Sequence, residues 1–404
     1  MTLSEELKWR GFINQTTYAD LNELDKPGKL TFYHGFDASA DSQTIGNLAA
    51  MMFDKVFIRH GHKAILVAGG STSLVGDPGG KNEERPLQDE KTIAHNVRRA
   101  EDQLKQIMGK APFTLVNNLD WTKDVTVLDF LRDIGKYYSI TPLIQRDYIA
   151  KRLGAEGNGI SYAEFSYTIL QGFDYLHLYD TYNCTLQLGG ADQWGNCLSG
   201  VELIRKARGK EVNVITLPLI INKATGQKFG KSEGGAVWLD PKKTSPNDFY
   251  QFWINVDDEG VGEYLKVFTE LDKKQVGEIM TEFEKNRSTR YAQRRLAYEV
   301  TTIVHGEALA KMAEQNATTL TLKPHQSGSA AFSVKVGDKI IDSLVKSGLT
   351  SSKTEARQVL SSGGVYINDL QVTKEKFESS DFIDGLLKLR RGKTLQNSVV
   401  IKQD

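Results

Sequence analysis

Thr31–Phe36 reads as a strand, and Ala64–Ala68 (AILVA) is apolar at every position. Between them Ile45, Leu48, Met52 and Val56 recur at helical spacing. A strand with no polar alternation has no face to offer water, so it is covered on both sides, as parallel strands are. Further apolar runs follow at Phe113–Val116, Thr185–Leu188 and Val212–Leu217, with helical patterns between them at Ile93–Met108 and Ala163–Leu178. Strand and helix in alternation imply an α/β fold with a parallel, doubly wound sheet. Ligands of such sheets sit at the carboxyl ends of the strands.

After Pro246 the pattern changes. Residues 247–322 contain helical stretches and no convincing strand, which suggests a small helical domain, and a Pro/Gly/Ser-containing linker follows at 323–336. Residues 337–404 form another unit. Ile340, Leu344 and Leu349 mark one short helix there, and Ser352 with Glu355 makes a capping box for a second that ends at Gly363-Gly364. "VYIND" and "LQVT" then read as strand, turn and strand, with Asn368-Asp369 at the turn.

The chain has 404 residues, 51 Lys+Arg against 51 Asp+Glu, and two cysteines. No apolar run is long enough to cross a membrane, and the N-terminus has neither a signal core nor transit-peptide composition. Two cysteines cannot build a disulfide framework or a four-ligand zinc site. These features favour the cytoplasm, and no protein-bound metal is expected. At zero net charge, any nucleic-acid contact must come from local basic patches.

Four stretches bear chemistry. "GGSTSLVGDPGGKNEER" (69–85) follows the AILVA strand and is rich in glycine, as phosphate-cradling loops are. It fails the Walker pattern, since Gly80-Lys81 precedes Asn82, and a plain surface loop remains open. "KATGQKFGKSEGG" (223–235) sets Lys223, Lys228 and Lys231 among four glycines, suiting either a loop that closes on polyphosphate or a solvated basic loop. "YTILQGFDYLHL" (167–178) spaces Tyr167, Gln171 and Asp174 along one helix face. That polar stripe faces either a ligand or solvent. "LGGADQWGN" (188–196) ends a strand with two glycines and offers Asp192 and Gln193, a placement suited to ribose or to a plain turn.

Together and in this order, these stretches resemble the bacterial tyrosyl-tRNA synthetases over essentially the whole chain. "YHGFDASADSQTIGNL" is similar to the first signature of class I synthetases, which ends His-Ile-Gly-His, and "KFGKS" to the second. The resemblance implies a Rossmann-like catalytic domain over 1–246, an anticodon-side helical domain over 247–322 and a small RNA-binding module over 337–404. It implies tyrosine activation by ATP and transfer to tRNA(Tyr), in a homodimer, with Mg²⁺ brought by ATP. By the same resemblance Tyr33 and Asp174 hold the phenolic hydroxyl, while Asp77, Tyr167 and Gln171 receive the ammonium group. Asp37, Gly35 and Gln187 line the tyrosine pocket. Gly46, Gly190, Asp192 and Gln193 seat the nucleotide. Ser39, Thr44, Asn47, Lys81, Arg85, Lys228, Lys231 and Ser232 act on the polyphosphate, and Lys353, Arg357, Arg390 and Arg391 contact RNA.

The implied chemistry suits these residue types. A carboxylate is already ionised at neutral pH, so activation needs positioning and charge neutralisation rather than a base. Rejecting phenylalanine follows from leaving buried polar groups unpaired, for which this family is itself the reference example at about 10⁵-fold. No editing domain is expected.

Thr44 and Asn47 stand where the first signature has histidines. Asn47 keeps an N–H donor. Thr44 is shorter, and losing one donor costs about 1.5–3 kcal/mol unless Ser39 or a water compensates. Two readings follow: an active ligase, or a non-catalytic RNA-binding paralogue that kept the fold. The preserved tyrosine pocket and "KFGKS" loop speak for the first.

Overall fold

The computed structural model describes residues 1–77, 88–154, 159–223, 225–226, 229–232, 235–322, 332–368, 370–382, 385–392 and 398–404. The chain divides into two compact units, Met1–Ala310 and Lys311–Asp404. The helical segment expected to stand apart from residue 247 thus belongs to the first unit through Ala310.

Six strands form the sheet of the first unit: β1 (Gln15–Thr16), β2 (Thr31–Asp37), β3 (Lys63–Gly69), β4 (Phe113–Asn117), β5 (Leu186–Gly190) and β6 (Asn213–Leu217). Their order is β1-β6-β5-β2-β3-β4, parallel except for β1, which runs antiparallel on the β6 edge. The expected strands are all present; β1, with two residues, was too short to read.

Helices α1 (Leu3–Arg10), α2 (Ile45–Arg59), α3 (Gly70–Val75) and α4 (Glu90–Met108) come before or between the strands on the β2–β4 side. Four short helices follow β4: α5 (Leu119–Thr122), α6 (Val127–Asp129), α7 (Ile140–Ile144) and α8 (Asp147–Leu153). Then come α9 (Tyr162–Tyr182) and α10 (Trp194–Arg208) on either side of β5. β3 is buried from Ala64 onward, as its unbroken apolar run requires.

The chain winds outward from β2 through β3 to β4, then crosses back to β5 and β6 on the other side of β2. β2 and β5 therefore flank the point where the winding reverses, and a crevice opens at their carboxyl ends. A two-stranded ribbon follows, β7 (Lys231–Ser232) with β8 (Gly235–Ala236). Beyond it lie α11 (Pro246–Ile254), α12 (Val261–Phe268), α13 (Lys273–Lys285) and α14 (Tyr291–His305), while α15 (Glu307–Leu322) carries the division between the units.

The second unit contains a five-stranded sheet of β9 (Ser333–Val334), β10 (Val365–Ile367), β11 (Leu370–Val372), β12 (Leu386–Arg391) and β13 (Ser398–Gln403), ordered β11-β10-β12-β13-β9. Helices α16 (Ile340–Lys346) and α17 (Lys353–Ser361) complete it, with a core that includes Ile340, Leu344, Leu360, Leu387 and Leu389. Ser352 caps α17 as expected, but Glu355 reaches back to the Ser351 N–H at 2.7 Å rather than to Ser352.

Candidate functional site

The crevice begins where β2 ends. Gly35 and Asp37 are exposed there, and open space lies beside the Gly35 Cα. Asp37 organises the chain that follows. Its carboxylate accepts from the Ser39 N–H and hydroxyl, both at 3.0 Å, and from the Ser73 hydroxyl at 2.9 Å. Thr44 is the N-cap of α2. Both its N–H and its hydroxyl donate to Asn47 Oδ1, each at 3.0 Å. The two residues that replace the signature histidines therefore bond to each other. The Thr44 hydroxyl proton is engaged in this pairing, as that of Ser39 is with Asp37. The Asn47 carbonyl is fixed by two donors, which leaves its NH₂ as the outward donor. Gly46 is exposed on the first turn of α2.

Deeper in, Tyr33 of β2 and Gln187 of β5 are register partners, so their side chains share one face. Both are 2% exposed. The Tyr33 hydroxyl and Gln187 Oε1 have no hydrogen-bond partner among the described residues. Buried polar atoms are seldom left so, and two adjacent ones mark a cradle for a polar ligand. Burial pushes the Tyr33 hydroxyl well above its usual range, and Cys197 and then Asp174 of α9 add to the rise electrostatically. Burial lifts the Asp174 carboxyl to about 7, opposed by hydrogen bonds from Asn118 and Trp121. Asn118 Nδ2 donates to one oxygen at 3.0 Å and Trp121 Nε1 to the other at 2.9 Å. The Trp121 indole stacks on His177, ring centroids 4.5 Å apart. Asn118 in turn accepts the Ser71 N–H and donates to Thr72 Oγ1.

Asn118 and Trp121 were absent from the sequence reading. Their signal is positional, since "NLDW" (118–121) follows directly on β4 and so lies at a strand's carboxyl end. Tyr167 and Gln171 lie on α9 two turns and one turn before Asp174. Tyr167 is buried, and the Gln171 amide reaches Cys197 Sγ at 3.9 Å.

At the mouth, Gln193 Nε2 donates to Asp77 Oδ2 at 2.6 Å, and Asn196 Nδ2 donates to Gln193 Oε1 at 3.1 Å. A Cβ at Gly190 would sit 2.6 Å from the exposed Asp192 carboxylate, so a larger residue there would turn that side chain aside. Cys184 and Cys197 are buried thiols without a disulfide. His60 contacts Glu6, and the Leu30 N–H donates to His62 Nδ1. No group of three or more His, Cys, Asp or Glu suited to a metal occurs among the described residues.

Lys81, Arg85 and Lys228 lie outside the described residues. Lys231 and Ser232 form β7, paired with Ala236 and Gly235. Between Lys228 and Lys231, Phe229 is buried against Phe252, Trp253, Tyr264 and Phe268. Gly230 follows at φ +88°, where a Cβ would also collide with Ile45 of α2 at 2.6 Å. The "KFGKS" segment is therefore anchored by an aromatic between its lysines.

In the second unit Lys353 pairs with Asp342 at 2.8 Å, and Arg357 is exposed. Arg391 pairs with Glu355 at 2.8 Å and donates to the Leu349 carbonyl. Arg390 corrects the expectation of a basic pair facing RNA. It is 6% exposed, with its guanidinium over the Tyr366 ring at 4.5 Å. Consecutive strand residues face opposite sides, so Arg390 and Arg391 cannot share one surface.

Comparison with known proteins accounts for both units. The family model described as tRNA synthetases class I (W and Y) matches residues 25–321, and that of the SYY-like C-terminal domain of tyrosine–tRNA ligase matches 326–396. The tyrosine–tRNA ligase of Roseiflexus castenholzii is 41% identical over 97% of each chain. That of Bifidobacterium longum is 43% identical over 98% of this chain and 96% of its own. The C-terminally truncated mitochondrial tyrosyl-tRNA synthetase of Aspergillus nidulans superposes with a TM-score of 0.71 at 29% identity, covering 79% of this chain and 94% of that one. A tryptophanyl-tRNA synthetase from Encephalitozoon cuniculi, 12% identical with a TM-score of 0.57, shares the fold. Family models over both units, and relatives alike over nearly their full length, agree with a crevice floored by Tyr33 and Asp174: this chain belongs to the tyrosine–tRNA ligases, within the class I tRNA synthetases.

Proposed function

We propose that the crevice between β2 and β5 performs both steps of the ligase reaction, with the phenol of tyrosine seated between Tyr33 and Asp174. One observation carries this reading. A buried hydroxyl that lacks an acceptor stands beside a buried carboxylate braced on both oxygens. A phenolic O–H donates to the carboxylate and accepts from Tyr33. Phenylalanine does neither and leaves both groups unpaired.

From that anchor the amino-acid end of tyrosine points toward the mouth. Asp77, Tyr167 and Gln171 receive its ammonium, and Gln187, Gly35 and Asp37 line its path. Asp192 and Gln193 hold the ribose of ATP, and the bare backbone at Gly46 and Gly190 admits the nucleotide. Ser39, Asn47, Lys81, Arg85, Lys228, Lys231 and Ser232 meet the polyphosphate, while Thr44 orients Asn47. The divalent cation enters with ATP, held chiefly by its phosphates.

The tyrosine carboxylate attacks the α-phosphorus. A new P–O bond forms as the bond to pyrophosphate breaks, and the donors around the pyrophosphate take up its growing charge. In the second step a ribose hydroxyl of the terminal adenosine of tRNA(Tyr) attacks the tyrosyl carbonyl, and AMP leaves with the electron pair of the broken C–O bond. Arg357 and Lys353 of the second unit contact tRNA phosphates.

The reading includes a homodimer in the cytoplasm. Val127, Leu128, Ile140, Leu153 and Tyr162 are all exposed along residues 127–162, and apolar surface of this kind suits a symmetric partner. Leu128→Glu is expected to give a monomer by sedimentation velocity where the wild type sediments as a dimer. A wild-type monomer at micromolar concentration would refute the dimer.

Tyrosine-dependent ATP–pyrophosphate exchange tests the whole assignment. Exchange with tyrosine and none with phenylalanine at equal concentration is expected. A folded, silent protein would point instead to a non-catalytic RNA-binding paralogue.

A further inference from the structure

The turn that joins β2 to α2 carries Ser39 and runs to Thr44, the N-cap of α2, where a single bridge pairs Thr44 with Trp238. Its backbone is also held by side chains of α4. Gln103 is buried, and its amide spans the turn. Gln103 Oε1 accepts the Gln43 N–H at 2.7 Å, and Nε2 donates to Ser42 Oγ at 2.9 Å. The Ser42 hydroxyl donates to the Gln43 carbonyl at 2.9 Å.

The same turn meets the chain that leaves the "KFGKS" segment. The Asp240 N–H donates to Ser42 Oγ at 3.1 Å, the Leu239 N–H to the Gln43 carbonyl at 2.9 Å, and the Ile45 N–H to the Val237 carbonyl at 3.2 Å. Asp240 is itself held by Arg99, at 2.5 Å, one turn before Gln103 on the same helix. Two side chains of α4 thus fix the stems of both signature segments against each other. Neither side chain belongs to either segment.

We propose that Gln103 is a positioning residue for the nucleotide step, acting through Ser42 and Gln43 to hold the first signature turn in register with the stem of the second. This rests on the reading of the crevice as an ATP site. A primary carboxamide suits the task because one group supplies both an acceptor for a backbone N–H and a donor for a hydroxyl. An apolar side chain would leave the buried Gln43 N–H unpaired, and the turn would shift to satisfy it. Misplacement by an ångström at a reacting centre costs on the order of 100-fold in rate. The tyrosine pocket is built from other elements, α9 and the strand floor, so its affinity should not change.

Gln103→Leu tests this in single-turnover adenylate formation, with rates normalised to titrated active sites and tyrosine binding measured by equilibrium dialysis. The expected result is a rate lower by roughly 10- to 100-fold, a raised KM for ATP, and an unchanged Kd for tyrosine. Ser42→Ala removes that bond together with those to the Gln43 carbonyl and from the Asp240 N–H, so it should lower the rate in the same direction, and because the Gln103–Ser42 bond is shared the double variant should lose less than the two single losses combined. A purely structural role would reduce the titrated fraction and the melting temperature while leaving the rate per site intact. That outcome, in either variant, overturns the proposal. Wild-type exchange decides the reading of the crevice, and the variant-to-wild-type ratio decides the role of Gln103.

Discussion

Asp174 is the residue where burial and chemistry meet most directly. Its carboxyl is raised from 3.8 to about 7 by desolvation. The folded state therefore keeps a proton that the unfolded state has lost across that interval. Stability from this group is fully present below about pH 4 and declines as pH rises toward about 7, by roughly 4 kcal/mol in all. Urea unfolding of wild type and Asp174→Asn between pH 4 and 8 checks this: the wild-type curve should fall relative to the variant across the window and run parallel above it. Parallel curves throughout would mean an ordinary carboxylate. Thr44 makes a second case. Because the N–H of residue 44 donates to Asn47 Oδ1 whatever its side chain, restoring the family's histidine removes only the hydroxyl bond of the pair. Thr44→His is expected to leave adenylate formation level or lower, and to cost about 1 kcal/mol of stability. A severalfold gain in rate would show that the site lacks a phosphate donor.

Between elements, α9 and α10 approach closely beside Asp174. Gly200 of α10 lies against Tyr175, the residue after Asp174. A Cβ there would fall 2.7 Å from Tyr175 Cδ1 and 2.8 Å from its Cβ. Tyr175 is fully buried and donates to the Asn213 carbonyl at 2.8 Å, so it has little room to yield. Gly200→Ala is expected to destabilise the protein by about 1–3 kcal/mol and to raise the KM for tyrosine. A thermal melt and exchange kinetics check both. Sequence spacing could place Tyr167, Gln171 and Asp174 on one helix face, because a helix has a fixed period. It could not reveal Gln103, which reaches the site from an element distant in sequence and matches no local pattern, and it marked Asn118 and Trp121 only by their place after a strand end. Arg390 was misread for a similar reason. A pair of adjacent arginines looks like a basic patch until strand alternation turns one of them inward.

At the scale of the whole chain, the division at Ala310 puts the proposed tyrosine and ATP site in one unit and the SYY-like domain in the other. Deleting residues 337–404 is expected to abolish tRNA charging while adenylate formation stays within about threefold of wild type, a change of less than 1 kcal/mol. Equal loss of both, measured on the same preparation, would show that the units are not separable in function. The fold class was readable from the AILVA strand and its neighbours. The extent of the first unit was not, since nothing in local composition marks helices that pack against the sheet domain from those that stand apart. The smallest strand has a wider effect. Residues 14–17 lie along β6, with the Asn14 and Thr17 N–H groups on the Thr216 and Val214 carbonyls. Upstream, Arg10 ties α1 to the carbonyls of Lys266, Thr269 and Leu271. Without that short segment β6 would present a bare apolar edge, ready to recruit a strand from another molecule. The N-terminal seventeen residues thus guard solubility as well as shape, and a truncation that spares every catalytic group would still yield a protein prone to aggregate.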